Sequence, residues 1–165
     1  MRTGIALGSN LGDRLANLRE ARDALAAFHE KGKPMLSSRV WETEPIDCGP
    51  DAAPYLNAVV EIEFTGNPVT LLHGLQAIEL KMGRPGRRPR NAPRTVDLDV
   101  LYAGDAVFKN AEITIPHSRM HLRRFVLNPL RDIRPDLVPP GMRETVSELL
   151  AKAPEAAVRI FEKTF

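Results

Sequence analysis

The chain has 165 residues, 43% hydrophobic and 27% charged, with a net charge of +2. That balance belongs to an ordinary folded domain and excludes a disordered tail or a polybasic arm. Cys48 is the one cysteine, which excludes an internal disulfide and fits a reducing compartment, and no stretch is apolar enough to span a bilayer.

Thr3 to Leu7 predicts a short strand ending in Gly8-Ser9-Asn10-Leu11-Gly12-Asp13, a run of turn and cap residues. The apolar start is too short for a secretory leader, so the cytoplasm is the expected location. Ser9 and Asn10 read as caps for a first helix, whose Leu15, Leu18, Arg22, Leu25 and Phe28 recur at helical spacing. Gly32 and Pro34 close it, and Leu36 to Thr43 predicts a poorly alternating strand carrying Trp41. Glu44 to Pro54 predicts a loop, with three prolines, one glycine and two aspartates. Beyond it Leu56, Ala58, Val60, Ile62 and Phe64 alternate onto one strand face, leaving Tyr55, Asn57, Glu61 and Glu63 on the other.

Asn67-Pro68 starts a second helix with the buried stripe Leu71, Leu75, Ile78 and Met82, ended by Gly83. Prolines at 85, 89 and 93 keep the next segment irregular until a strand over Thr95 to Tyr102. Gly104-Asp105 turns into a hairpin reaching Ile115, and His121 to Leu130 predicts a helix that Pro129 disturbs. Thr145 to Lys152 predicts a short helix and Val158 to Ile160 a last edge strand. Helices and strands mix without strict alternation, so the expected fold is one α+β domain over 1–165 with a largely antiparallel sheet.

Two features carry chemistry. Asp97-Leu98-Asp99 lies in an apolar strand, where aspartate is depleted. Alternation sends both carboxylates to one face, their Cα atoms about 7 Å apart, within reach of one cation or two adjacent ones. Just before them stand Arg84, Arg87, Arg88, Arg90 and Arg94, with no acid in that interval. Arginines beside a carboxylate pair suit a metal-bound polyphosphate, because a guanidinium grips phosphate oxygens in pairs. No aromatic residue interleaves them for base stacking, and no G-x-x-x-x-G-K-S/T phosphate loop is present.

The run from Arg90 to Leu101, with Arg94, Asp97 and Asp99 inside it, resembles the signature of the 6-hydroxymethyl-7,8-dihydropterin pyrophosphokinases of folate synthesis. Ala6 to Gly12, Pro54-Tyr55-Leu56-Asn57-Ala58, and Ile115-Pro116-His117 with Arg123 and Phe125 agree, in the family's order. The resemblance implies a ferredoxin-like fold and transfer of pyrophosphate from ATP to the pterin, releasing AMP. By the same resemblance Asp97 and Asp99 bind two magnesium ions, and Arg84 acts on the transferring group. Arg94, His117 and Arg123 hold phosphates, and Gln76, Glu79, Val100 and Thr114 line the ATP side. The pterin lies between Tyr55 and Phe125, its edge met by Asn57, with backbone contacts from Thr43 and Ile46. Gly86 stands where some members have a second loop arginine, and Asn91 where some have an aromatic residue. The expected partners are the two small substrates, without nucleic acid or membrane, and the expected state is a monomer. The alternative reading is an RNA- or phosphate-binding module on a ferredoxin-like fold, which accounts for the arginines and not for the aspartates beside them.

Overall fold

The computed structural model describes residues 1–44, 53–83 and 94–165. Strand β1 (Arg2–Ser9) leads through the turn to helix α1 (Arg14–Leu25). Asp13 caps that helix, its carboxylate accepting the Ala16 N–H at 3.0 Å. The expected Leu36–Thr43 strand is divided into β2 (Leu36–Ser37) and β3 (Val40–Thr43), and β4 (Tyr55–Glu63) follows. Helix α2 (Pro68–Lys81) starts on Asn67, whose side chain accepts the Val69 N–H at 2.8 Å, and Gly83 takes φ +92° just past its end. Strand β5 (Asp97–Ala103) completes a β1-α1-β3-β4-α2-β5 unit.

The sheet order is β5-β1-β4-β3-β8, every pairing antiparallel. Its first four strands with α1 and α2 form the ferredoxin-like arrangement. The other elements are the small hairpin β6 (Phe108–Lys109) and β7 (Thr114–Ile115), helices α3 (Arg124–Ile133) and α4 (Val146–Lys152), and β8 (Val158–Glu162) along the outer side of β3.

Strand alternation supplies two cores. Ile5, Leu7, Ala58, Val60, Leu98 and Val100 meet Leu18, Leu25, Leu71 and Leu75 of α1 and α2. On the opposite face Val59, Leu101 and Tyr102 meet Leu127 and Leu130 of α3 and Val146 and Leu149 of α4. Consecutive Leu101 and Tyr102 share that core because the β1/β5 register slips there: Ile5 faces Val100 and Gly4 faces Tyr102, so Leu101 is the extra residue of a bulge.

One expectation is corrected. Residues 120–122 form a separate 3-10 turn, and α3 begins only at Arg124. It then runs through Pro129 to Ile133. Pro129 deprives the Phe125 carbonyl of its usual N–H, yet burial of Val126, Leu127 and Leu130 holds the helix together. Glu61 lies on the strand face that alternation assigns it, away from the first core, and is 4% exposed there, accepting the Tyr102 hydroxyl at 2.5 Å and the Arg134 guanidinium. No described helix is long and apolar enough to cross a membrane.

Candidate functional site

The β1/β5 and β1/β4 registers set Asp97, Gly8 and Asn57 side by side across three strands. Gly8 contributes no side chain. A Cβ there would stand 3.5 Å from Asn57 Oδ1 and 4.0 Å from the Asp97 Cβ, so the carboxylate and the amide flank a shallow trough. With strands about 4.8 Å apart, Asp97 and Asn57 are separated by roughly 10 Å. The pleat carries Asp99 to the same face, opposite Ala6.

The aspartate half is braced from three directions. Leu98, between the aspartates, donates its N–H to Glu79 Oε1 of α2 at 2.7 Å. Arg94 forms an ion pair with Asp97, Nη1 to Oδ2, at 2.7 Å. The Arg94 main chain is gripped by Asn10, whose Oδ1 accepts the Arg94 N–H at 2.8 Å while the Asn10 N–H donates to the Arg94 carbonyl at 3.2 Å. Asn10 therefore does not cap α1, a role that Asp13 fills. Burial pulls the Arg94 pKa down, but the charge and hydrogen bond of Asp97, with Tyr55 and Asp99 behind them, leave it above its ordinary value.

Opposite stand Arg123 and His117. Burial lowers the Arg123 pKa, and repulsion from Arg119 adds to it, against the attraction of Asp99 and Asp97. His117 follows a cis Ile115–Pro116 bond, and its N–H donates to the Leu101 carbonyl at 2.8 Å. Burial lowers the His117 pKa; Asp99 opposes this and the charges of Arg123 and Arg119 reinforce it. Arg119 and Arg123, which both line the cleft, thus put positive charge near the two aspartates, a distribution that suits a polyphosphate.

On the other side of the trough, Asn57 Nδ2 donates to Thr43 Oγ1 at 2.9 Å, which orients the amide. The Arg123 guanidinium lies 5.4 Å over the Phe125 ring. Thr43, Tyr55, Asn57, Arg94, Asp97, Asp99, Arg123 and Phe125 all line one cleft of about 960 Å³.

Gln76, Glu79, Val100, Thr114 and His117 are not among the residues that line this cleft. Val100 turns its side chain into the core under α1 and α2, and Glu79 is buried beneath β5. Gln76 is exposed on α2, and Thr114 pairs with Lys109 in the small hairpin. Ile46, Cys48, Arg84, Gly86, Arg87, Arg88, Arg90 and Asn91 lie outside the described residues.

Sequence reasoning did not find Arg119, Arg124 and the 154–157 segment, which also line the cleft. Arg124 staples that segment, donating to the Pro154 carbonyl at 2.9 Å and pairing with Glu155 at 2.8 Å. No local spacing announces it, because the segment arrives only when β8 docks on β3. Asn10 did carry a signal, its place in the Gly8-Ser9-Asn10 turn, but its partner is 84 residues away.

A family model described as 7,8-dihydro-6-hydroxymethylpterin-pyrophosphokinase matches residues 4–135. The 2-amino-4-hydroxy-6-hydroxymethyldihydropteridine pyrophosphokinase of Bacillus subtilis is 41% identical over 131 residues, 78% of this chain and 75% of that one. The protein of the same name from Pseudomonas aeruginosa is 38% identical over 154 residues, covering 93% and 92%. The folic acid synthesis protein fol1 of Schizosaccharomyces pombe is 36% identical over 95% of this chain, which spans only 21% of that longer protein. A crystal structure of wild-type Plasmodium falciparum HPPK-DHPS with pteroate superposes with a TM-score of 0.71 at 15% identity, over 92% of this chain and 44% of that one. At that identity the likeness speaks for the fold.

Proposed function

The chain belongs to the 7,8-dihydro-6-hydroxymethylpterin-pyrophosphokinase family, and from that premise we propose that it transfers pyrophosphate from ATP to 6-hydroxymethyl-7,8-dihydropterin in folate biosynthesis. The observation that best supports the reading is the row Asp97, Gly8, Asn57, which sets a carboxylate half and an amide half on either side of one trough.

In this reading the acceptor's hydroxymethyl oxygen attacks the β-phosphorus of ATP. The new O–P bond forms as the bond from that phosphorus to the α–β bridging oxygen breaks, AMP leaves, and the hydroxyl proton passes to solvent. Tyr55 and Phe125 offer aromatic faces to the pterin, and offset stacking is worth about 0.5–1.5 kcal/mol beyond area burial. Asn57 supplies both a donor and an acceptor to the pterin edge, and Thr43 and Ile46 add contacts. Arg94, His117 and Arg123 hold phosphate oxygens, Arg84 acts on the transferring group, and Gln76, Glu79, Val100 and Thr114 belong to the ATP side. In phosphoryl transfer such positioning and charge stabilisation are most of what a protein contributes.

Two aspartates on one strand face fit magnesium, which takes one or two carboxylates and completes its shell with water and phosphate oxygens. Asp97 and Asp99 would hold two such ions, which supply neutralisation of phosphate charge when bound. The reading extends to one domain over 1–165, acting as a monomer in the cytoplasm. The single domain is supported by one sheet whose strands run from Arg2 to Glu162. Sedimentation of the purified chain checks the monomer.

The decisive assay supplies ATP, magnesium and the reduced hydroxymethyl-pterin and separates the nucleotide products. AMP in step with pterin diphosphate is expected. ADP, or no magnesium-dependent product, would overturn the reading.

A further inference from the structure

A buried ionic cluster lies beside the acceptor half and outside the polyphosphate site. Glu42, in β3, is 5% exposed, and a carboxylate that deep is retained only with partners. It has two. Arg14, the first residue of α1, donates from Nη1 to Glu42 Oε1 at 3.0 Å. Arg159, from β8, donates from Nε to Glu42 Oε2 at 2.7 Å and pairs through Nη2 as well. Burial pushes the Glu42 carboxyl up, and the two guanidiniums together bring it below its ordinary value.

The cluster does more than neutralise itself. The same Arg14 Nη1 donates to the Pro54 carbonyl at 2.6 Å. Pro54 immediately precedes Tyr55, and Tyr55 pairs in the sheet with Thr43, the neighbour of Glu42. Thr43 in turn orients the Asn57 amide. Three elements distant in sequence thus converge on the main chain from which the acceptor's aromatic and amide contacts project. The Arg14 guanidinium also lies 5.6 Å over the Phe161 ring of β8, so it is held from a second side.

We propose that Arg14 and Glu42 are positioning residues for the acceptor: Glu42 holds Arg14 in place, and Arg14 fixes the Pro54 carbonyl and with it the stance of Tyr55 and Asn57. This rests on the pyrophosphokinase reading above. Neither residue touches the cleft's polyphosphate half, so the effect is selective for one substrate. A charged hydrogen bond lost from a partly buried site corresponds to about a tenfold change in an equilibrium constant or more.

The test measures both Michaelis constants and the thermal midpoint for wild type, Arg14→Ala, Arg14→Lys and Glu42→Gln. Arg14→Ala should raise the pterin Michaelis constant about tenfold and leave that for ATP within about twofold. Arg14→Lys, keeping the charge, should recover part of the loss, and Glu42→Gln should move the same constant in the same direction. A merely structural role would lower the midpoint and shift both constants together, or neither, and either result overturns the proposal. If Arg14→Ala does not fold, the Arg14→Lys and Glu42→Gln pair must still show the split, and equal movement of both constants overturns it. Wild type that makes no AMP defeats the pyrophosphokinase reading; active wild type with unsplit variants defeats this inference alone.

Discussion

Asp97 and Asp99 share a direction because a strand repeats every two residues, and that geometry is local enough to be read from D-x-D alone. Arg94 was legible because it stands only three residues upstream of Asp97. The Asn10 clamp was not, since nothing local distinguishes an asparagine that caps its own helix from one that grips a distant main chain. Asp97→Ala or Asp99→Ala should cut turnover by on the order of 100-fold or more, because each removes a group serving the transferring charge. Steady-state rates at saturating magnesium and ATP, with circular dichroism to show an intact fold, make the measurement. Full activity in either variant would sink the metal-side assignment. Arg84→Ala should slow transfer more than it weakens binding, and an unchanged rate with a raised Michaelis constant would contradict that role.

At the scale of elements, the first, second and fourth helices stand where apolar spacing put them, each started by a side-chain cap. Asn67 and Thr145 are such caps, the latter in a reciprocal box with Glu148. The third helix starts later and runs further than its sequence suggests, because a proline's local cost is offset by an apolar face buried on the sheet, which no short window contains. Gly74, in the middle of α2, tests how tightly an element is seated. In an exposed helix alanine would gain about 1 kcal/mol over glycine. Here an added Cβ would stand 2.4 Å from the Phe28 ring, which is itself held edge-on to Phe64 at 6.5 Å between ring centres. Overpacking of that kind costs about 1–3 kcal/mol. Gly74→Ala should therefore lower the thermal midpoint, and an unchanged or higher midpoint would mean that Phe28 swings aside.

Across the whole molecule, a single sheet separates two cores, and the α+β class followed from helices and strands that mix without strict alternation. The second core was less legible, since it depends on a bulge at Leu101 and on a C-terminal strand that adds to β3. One buried contact ties these layers: Glu61 of β4 receives both the Tyr102 hydroxyl of β5 and Arg134 at the end of α3. Burial, then the charge and hydrogen bond of Glu61, raise the Tyr102 pKa far above that of a free tyrosine, with Arg134 and Arg2 opposing. The sign follows. Below about pH 10 the hydroxyl is protonated folded or unfolded, so its contribution is intact. Above that, only the unfolded chain ionises at Tyr102, so stability falls as pH rises. Native wild type and Tyr102→Phe should give the same tyrosinate absorbance up to the onset of alkaline unfolding. An excess in wild type before that onset would show Tyr102 ionising in place.

The missing side chain at Gly8 has a practical consequence. Its surroundings would receive a methyl group at ordinary van der Waals distance, and its backbone is not in the left-handed region that only glycine enters easily. Gly8→Ala should therefore fold as well as wild type, or slightly better, since alanine restricts the unfolded chain. The methyl would nevertheless fill the trough between Asp97 and Asn57, where the proposed reading brings the two substrates together. On that reading such a variant would be obstructed but not damaged, taking up each substrate singly while hindering their meeting, and equilibrium binding of each substrate alone beside the lost turnover is the measurement that checks it.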